Sequence, residues 1–359
     1  MKKIFLTVLL LATFIISGCG GKSEPKVEPD ENSQTEVKEE SQAEAAQNVT
    51  GDLKISMLNV GQGDAILIRT GKQTILIDTS DTDERDLLVN ELEKLSVTKI
   101  DKLILTHPHA DHIGGAKALI NPSKKEINAN PYLEKISVGE VYDNGIASTS
   151  PLYKSYMKAI DTKGITHAAL KVGDTLDFGN GVKFKVLFPT SELVEAVNNG
   201  GWKSDPNNES IVGKLTYKKF SMMFTGDAEK QVETAIFCTR WNGILSTDEA
   251  KDLKCDVLKS GHHGSYTAST KDFVAAVNPS YVLISAGPEE ERRNTYGHPH
   301  LEPLENYLAQ GVDKKNIFCT RWNGTITIVS NGEKFSVTPE QKEEWIDKWM
   351  EQKKKDKKK

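Results

Sequence analysis

The chain has 359 residues, with 46 Lys and Arg against 51 Asp and Glu and a formal net charge of −5. That balance excludes the strongly basic surface of a dedicated nucleic-acid-binding domain, and four cysteines exclude a disulfide-stapled scaffold. The length leaves room for one large domain with flanking segments.

Residues 1–19 open with Lys2 and Lys3, run apolar from Ile4 to Ile16 and close on Ser17-Gly18-Cys19. The run is too short for a stable membrane span and reads as a signal-peptide core. Small residues directly before a cysteine resemble the bacterial lipobox. Cys19 is therefore expected to carry lipid and to anchor an exported chain to the outer face of the cytoplasmic membrane or cell envelope. Residues 20–51 contain no aromatic side chain and an excess of Glu over Lys. They cannot bury enough apolar surface to fold and are predicted to be a disordered acidic tether.

From 52 to 338 the pattern alternates strand and helix, as in a layered α/β domain. Strands are predicted at 53–59, 64–69, 74–78, 100–106, 137–142, 182–187, 210–216, 219–225, 256–260, 281–285 and 325–329. Helices are predicted at 84–95, 113–120, 151–162, 228–236, 270–277 and 301–310. Between the strand around Leu103 and the helix around Ala118 lies Thr106-His107-Pro108-His109-Ala110-Asp111-His112-Ile113-Gly114-Gly115. Three imidazoles and a carboxylate this dense on a strand-to-helix loop point to a two-metal site. His107 and His109, held apart by stiff Pro108, can converge on one ion, and Asp111 with His112 on a second about 3.5–4 Å away. A nitrogen and oxygen donor set without cysteine suits two divalent ions, Zn²⁺ or Mn²⁺.

Farther along, the segments Leu133–Pro151 and Pro189–Pro206 read as loops rimming a groove. His167, with no acidic or His neighbour in sequence, reads as structural. Asn207 and Asn208 offer amides that either bind a substrate oxygen or position a loop. The apolar strand Ser221-Met222-Met223-Phe224 ends at Gly226-Asp227, which brings the Asp227 carboxylate out at the sheet edge. Ile236-Phe237-Cys238-Thr239-Arg240-Trp241-Asn242-Gly243 recurs letter for letter at Ile317–Gly324. The second copy suits a strand turning at Asn323-Gly324, and the first interrupts a helical pattern and is expected in a loop. Cys238, Cys255 and Cys319 read as buried small apolar residues. His262-His263 and His298 add imidazoles, and His300 stands at a helix start as a solvated cap. Residues 339–359 read as a charged, Lys-rich tail.

These pieces together resemble the metallo-β-lactamase superfamily. The His-x-His-x-Asp-His run carries the likeness, with Met57–Ile68, Thr74–Thr79, Phe224–Ala228, Asp256–Ser265 and Tyr296–Pro299 in the family's order. The wording is most similar to the hydrolase domain of ComEC-type competence proteins and their free-standing secreted relatives. The resemblance implies a four-layer αββα sandwich with the metals at one end. The family's usual third His of the first site is missing, and Asn207-Asn208-Glu209-Ser210 stands in its place. Similarity to phosphorylcholine esterases then implies His107, His109 and His263 on metal one, and Asp111, His112 and His298 on metal two. Asp227 bridges them, and His262 acts at the reaction centre beside Asp111 and Asp227 as a non-ligand. Asp64 and Asp78 would orient ligand imidazoles. The implied reaction is phosphodiester hydrolysis by a metal-bridging hydroxide, with DNA or a cell-envelope phosphodiester as substrate and no protein partner. The acidic folded part and the lack of an aromatic-basic strip weigh against DNA. The alternatives are an ester, lactone or β-lactam hydrolase and a catalytically idle binding lipoprotein.

Overall fold

The structure, a computed structural model, describes residues 52–237, 253–288 and 294–357. The expected signal peptide with Cys19, the tether 20–51, Cys238 and the rest of the first octapeptide beyond Phe237 lie outside the described residues. Strands β1 (Leu53–Met57), β2 (Ile66–Arg69), β3 (Thr74–Ile77), β4 (Lys99–Ile104), β5 (Ser137–Asp143) and β6 (Thr166–Ala169) begin one sheet. The other contains β7 (Thr175–Asp177), β8 (Lys183–Phe188), β9 (Val212–Tyr217), β10 (Phe220–Phe224), β11 (Val257–Lys259), β12 (Tyr281–Ile284) and β13 (Ile317–Cys319). The chain then returns to the first sheet as β14 (Ile326–Ser330) and β15 (Phe335–Pro339). The orders are β15-β14-β1-β2-β3-β4-β5-β6 and β13-β12-β11-β10-β9-β8-β7.

Alternation along each strand builds the layers. Ile66, Ile68, Ile75 and Ile77 meet Phe184, Leu215, Met222 and Val257 between the sheets. Leu67, Leu76 and Leu103 face the opposite way, onto Leu88, Leu92, Leu119 and Tyr156 of the helices on that side. In the second sheet Met223, Leu258 and Val282 turn outward onto Val232, Phe273, Val274 and Leu304. The expected αββα sandwich is therefore the observed one. β3, β4 and β5 run parallel, as do β10, β11 and β12. The loops that follow β3, β4, β10 and β11 carry Asp78, His107–His112, Asp227 and His262-His263, which places the site at the carboxyl ends of parallel strands.

Four strands, β6, β7, β13 and β15, escape the sequence pattern, and each lies at the edge of its sheet. The helix expected at 113–120 is two, Ala110–Ile113 and Ala116–Ile120. They part at Gly114, where a Cβ would stand 2.2 Å from the Thr82 nitrogen, so only glycine lets the metal loop seat on the loop after β3. The rim segment after Pro189 is not all loop: Thr190 caps a helix over Ser191–Asn198, its hydroxyl accepting from the Leu193 N–H at 3.1 Å. Cys255 and Cys319 are buried, as expected. Among the described residues no helix is long and apolar enough to cross a membrane.

The boundary at 338 needs correction. Residues 339–359 hold a helix, Ile346–Asp356, whose Ile346, Trp349 and Met350 join the core together with Trp345. Trp345 stacks on Trp322 at 4.3 Å, and Arg321 lies over Trp322 and Trp349. The stripe at 345, 346, 349 and 350 is a helical period that the surrounding lysines obscure.

Candidate metal centre

Asp78, just past β3, organises the first part of the site. One carboxylate oxygen accepts from the Thr106 N–H at 2.7 Å, and the other lies 2.7 Å from both the Thr106 hydroxyl and His112 Nδ1. Anchored there, His112 turns Nε2 to within 3.2 Å of Asp227 Oδ2. Burial opposes a charge on His112, but Asp227 and Asp78 outweigh it and hold its pKa well above the ordinary value. His107 is anchored in the same sense, with Nδ1 3.2 Å from Thr106 Oγ1 and 3.3 Å from Ser210 Oγ. Its Nε2 lies 4.0 Å from Asp227 Oδ2. Burial and neighbouring His112 keep its pKa well below the usual range. His109 is half-buried, its ring edge-on to His107 at 4.8 Å.

The doublet resolves differently from expectation. His262 and His263 both take left-handed backbone angles, φ 45° and 52°. Consecutive non-glycine residues there store strain of order 1–2 kcal/mol each, a cost that persists where function holds it in place. The result is that both rings enter one site. His263 is fully buried, with Nδ1 2.9 Å from the Ser285 carbonyl and Nε2 3.2 Å from Asp111 and 3.4 Å from Asp227. It therefore stands with Asp111, His112 and Asp227, not with His107 and His109, and takes the place that the resemblance gave to His298. Burial works against its charge, yet Asp227 and Asp111 push its pKa up to about 10. Asp111 and Asp227 are held correspondingly low by His263 and His112 against the effect of burial.

His262 is partly exposed. Its Nδ1 is 3.1 Å from Glu229 Oε1 and from Thr267 Oγ1, and its Nε2 is 3.8 Å from Asp227 Oδ2. The two asparagines divide the roles left open by the sequence. Asn208 brackets Glu229, accepting from its N–H at 3.3 Å and reaching its carboxylate at 3.4 Å. Asn207 sits 3.5 Å from His262 Nε2 through Nδ2, and its Oδ1 is buried without a hydrogen bond. His298 is buried, its ring 5.4 Å from His262 and 6.1 Å from His263, with Nδ1 also unpartnered. Burial and the neighbouring histidines drive its pKa down to about 2.

His167 does have an acidic neighbour in space, Asp143 Oδ2 at 2.9 Å, which also accepts from the Tyr156 hydroxyl at 2.9 Å. His300 begins the helix Leu301–Ala309 but its ring makes no cap bond; it is engaged between Tyr266 and Tyr296 instead.

Sequence reasoning missed Lys259. Its fully buried ammonium lies 2.6 Å from Asp64, donates to the Gly226 carbonyl at 2.8 Å and stands 3.8 Å from Asp227 Oδ1. Asp64 in turn accepts from the Ser285 hydroxyl, so it supports Lys259 and the residue that holds His263. A lysine inside the apolar strand Val257-Leu258-Lys259 was the available signal, since a buried ammonium must be paired.

Several buried polar atoms lack hydrogen-bond partners here: Nε2 of His107, His112 and His263, and Oδ1 of Asp227. Leaving so many donors and acceptors unsatisfied is costly unless something charged meets them. Imidazoles pinned through Nδ1 with Nε2 facing one space are the arrangement that metal ligation uses. Asp111, His112, Asp227 and His263 can present one ligand atom each, all within 4.8 Å of one another. The residues fit divalent metal ions.

Residues 58–287 match the Metallo-beta-lactamase superfamily. This chain is a member of that superfamily. It has the superfamily's hydrolase fold, and the donor set just described is a candidate metal site. The chain is 28% identical over 291 residues to ComE operon protein 3 of Bacillus subtilis, covering 76% of this chain and 32% of that protein. It is 26% identical to Competence protein ComA of Neisseria gonorrhoeae, covering 72% and 30%. Thus this superfamily member spans about a third of the length of the curated relatives it matches. Among solved structures, a subclass B3 metallo-beta-lactamase, MEM-A1, from a soil metagenome aligns at 16% identity and a TM-score of 0.34, covering 60% of this chain and 78% of its own.

Proposed function

We propose that this protein is a dinuclear metal-dependent phosphodiesterase, exported and held at the outer membrane face through a lipidated Cys19. The observation that carries the reading is Asp227, whose Oδ2 stands 3.2 to 4.0 Å from Nε2 of His112, His263, His262 and His107. One carboxylate thereby faces both donor groups. Asp111, His112 and His263 with Asp227 would hold one ion; His107, His109 and Asp227 would hold the other. When bound, two such ions supply Lewis acidity that brings water deprotonation near neutral pH and offsets charge on a phosphoryl group.

The chain's own groups do the rest. Glu229 accepts from His262 Nδ1–H, which leaves Nε2 facing the centre on its open side. There His262 moves a proton between Nε2 and the departing oxygen. Asn207 Nδ2 offers a donor to a substrate oxygen next to it. Lys259 and Ser285 hold Asp64, Asp227 and His263 in place before substrate arrives. The name of the Neisseria gonorrhoeae relative, a competence protein, supports DNA as the leading phosphodiester; a cell-envelope phosphodiester has the same reacting group.

Metal analysis of the soluble form from Gly51, followed by a panel of phosphodiester and ester chromogens, tests this. The expected result is about two divalent ions per chain and turnover of bis-aryl phosphates above that of carboxylic esters. Zero metal after metal-replete preparation, or hydrolysis of esters alone, overturns it.

A further inference from the structure

Among the described residues the large apolar or aromatic side chains left exposed are Leu87, Trp202, Tyr266 and Tyr296, the two tyrosines at 64% and 71%. Those tyrosines are thirty positions apart in sequence, yet they belong to the two loops that carry His263 and His298. A ladder of rings joins them to the centre. Tyr266 is 5.0 Å from His300, His300 is 4.9 Å from His298, and Tyr296 stacks on His298 at 5.7 Å with planes 19° apart. His298 in turn is 5.4 Å from His262.

His300 ties the two loops together. The Tyr266 backbone N–H donates to its Nδ1 at 3.1 Å, and its Nε2–H donates to the Tyr296 carbonyl at 3.0 Å. Both ring nitrogens are thus used, so His300 has none to offer a metal; its place is between the aromatic loops. The helix Ile346–Asp356 braces the same loop, because Trp349 Nε1 donates to the Pro299 carbonyl at 2.8 Å. Two rigid aromatic rings are therefore presented to solvent on a fixed support beside His262, where apolar exposure has no role in folding.

We infer that Tyr266 and Tyr296 form a stacking subsite on the rim of the metal centre that takes a nucleobase of the substrate. The inference rests on the phosphodiesterase reading. A planar ring is the group that such faces bind best, and every base has a π-face, so the subsite is tolerant of sequence. In this arrangement the phosphate is met at the metals and the base, one sugar away, by the tyrosines. Short rigid side chains bind with little loss of conformational freedom.

The test uses the metal-loaded protein and two fluorescein-labelled probes, a thymidine hexanucleotide and its counterpart in which every base is removed, with affinity read by fluorescence anisotropy. The protein is expected to bind the base-bearing probe about tenfold or more tightly than the abasic one. Tyr266→Ala with Tyr296→Ala removes that difference and leaves abasic binding unchanged, whereas the paired Phe variants retain it. Equal binding of both probes by the unaltered protein overturns the subsite, as does equal loss of both probes or of metal in the Ala variant. If base-dependent binding holds but no phosphodiester is cleaved, the hydrolytic reading fails and the subsite stands. Cleavage with binding indifferent to bases leaves the function and removes the subsite.

Discussion

The two halves of the metal centre are built to different standards. His112 and His263 close on Asp227 at 3.2 and 3.4 Å, and His263 on Asp111 at 3.2 Å, each imidazole pinned through Nδ1. On the other side His107 stands 4.0 Å from the same carboxylate, His109 is half-buried, and the remaining wall is an asparagine amide and the partly exposed His262. The closed half has the anions and the tight geometry that bind; the open half has the accessible nitrogen and amide that can meet a substrate. The His262-His263 turn supplies one ring to each half.

The largest effect is expected from removing what the halves share. Asp227→Ala is predicted to lower metal content from about two ions to near zero and activity to background; elemental analysis that still finds either ion at full occupancy contradicts a shared carboxylate. Separating the halves comes next. His263→Ala should cost about one ion, from the Asp111 and His112 half, while His262→Ala keeps both and loses roughly 10²–10⁴-fold in turnover. An ion lost on changing His262, with none lost on changing His263, reverses the roles.

The halves should also differ in protons. In the metal-free protein His263 is raised to about 10 and His112 lies well above its ordinary value, whereas His107 is driven low. A raised histidine pKa means stability that is fully present below the unfolded value of about 6.5 and lost as pH climbs through the folded value. The metal-free protein is therefore expected to lose thermal stability between about pH 6.5 and 10. Metal loading at pH 7 should release about two protons, and close to none in His263→Ala, which loses the ion that would displace the His112 proton, read by calorimetry in buffers of different ionisation enthalpy. Uptake that does not depend on the buffer would show that the closed half is already deprotonated.

The smallest effect concerns the outer wall of the open half. Trp349→Phe keeps the aromatic face and deletes only the N–H that meets the Pro299 carbonyl. About 1–3 kcal/mol of stability should go, since a buried acceptor is left unsatisfied. Chemical denaturation measures it, with metal content unchanged; an unaltered midpoint means that the helix does not brace the His298 loop.

Much of this was legible in sequence because it depends on short-range pattern. The alternating strands, the His-rich loop after β4 and the Gly226-Asp227 turn after β10 each occupy one contiguous stretch, where period and composition report directly on backbone form. The helix at Ile346–Asp356 was equally local, but its apolar stripe is four residues among lysines, and net charge outweighed period in the reading. Lys259 was visible as an oddity in an apolar strand; its partner Asp64 lies on another strand loop of the opposite sheet, so no spacing along the chain reveals the pair.

What the sequence by itself determined is therefore the family, the αββα layering and the candidates for the site: His107, His109, Asp111, His112, Asp227, His262, His263 and His298. Their partition was decided only by tertiary structure. Which ring of a doublet turns to which carboxylate depends on a few degrees of backbone angle at His262 and His263, and on Ser285 and Glu229, which are brought to them from other loops. The same holds for Tyr266 and Tyr296, whose loops are joined by His300. Donor identity is a property of single positions, whereas the direction of a side chain is set by contacts made across the fold.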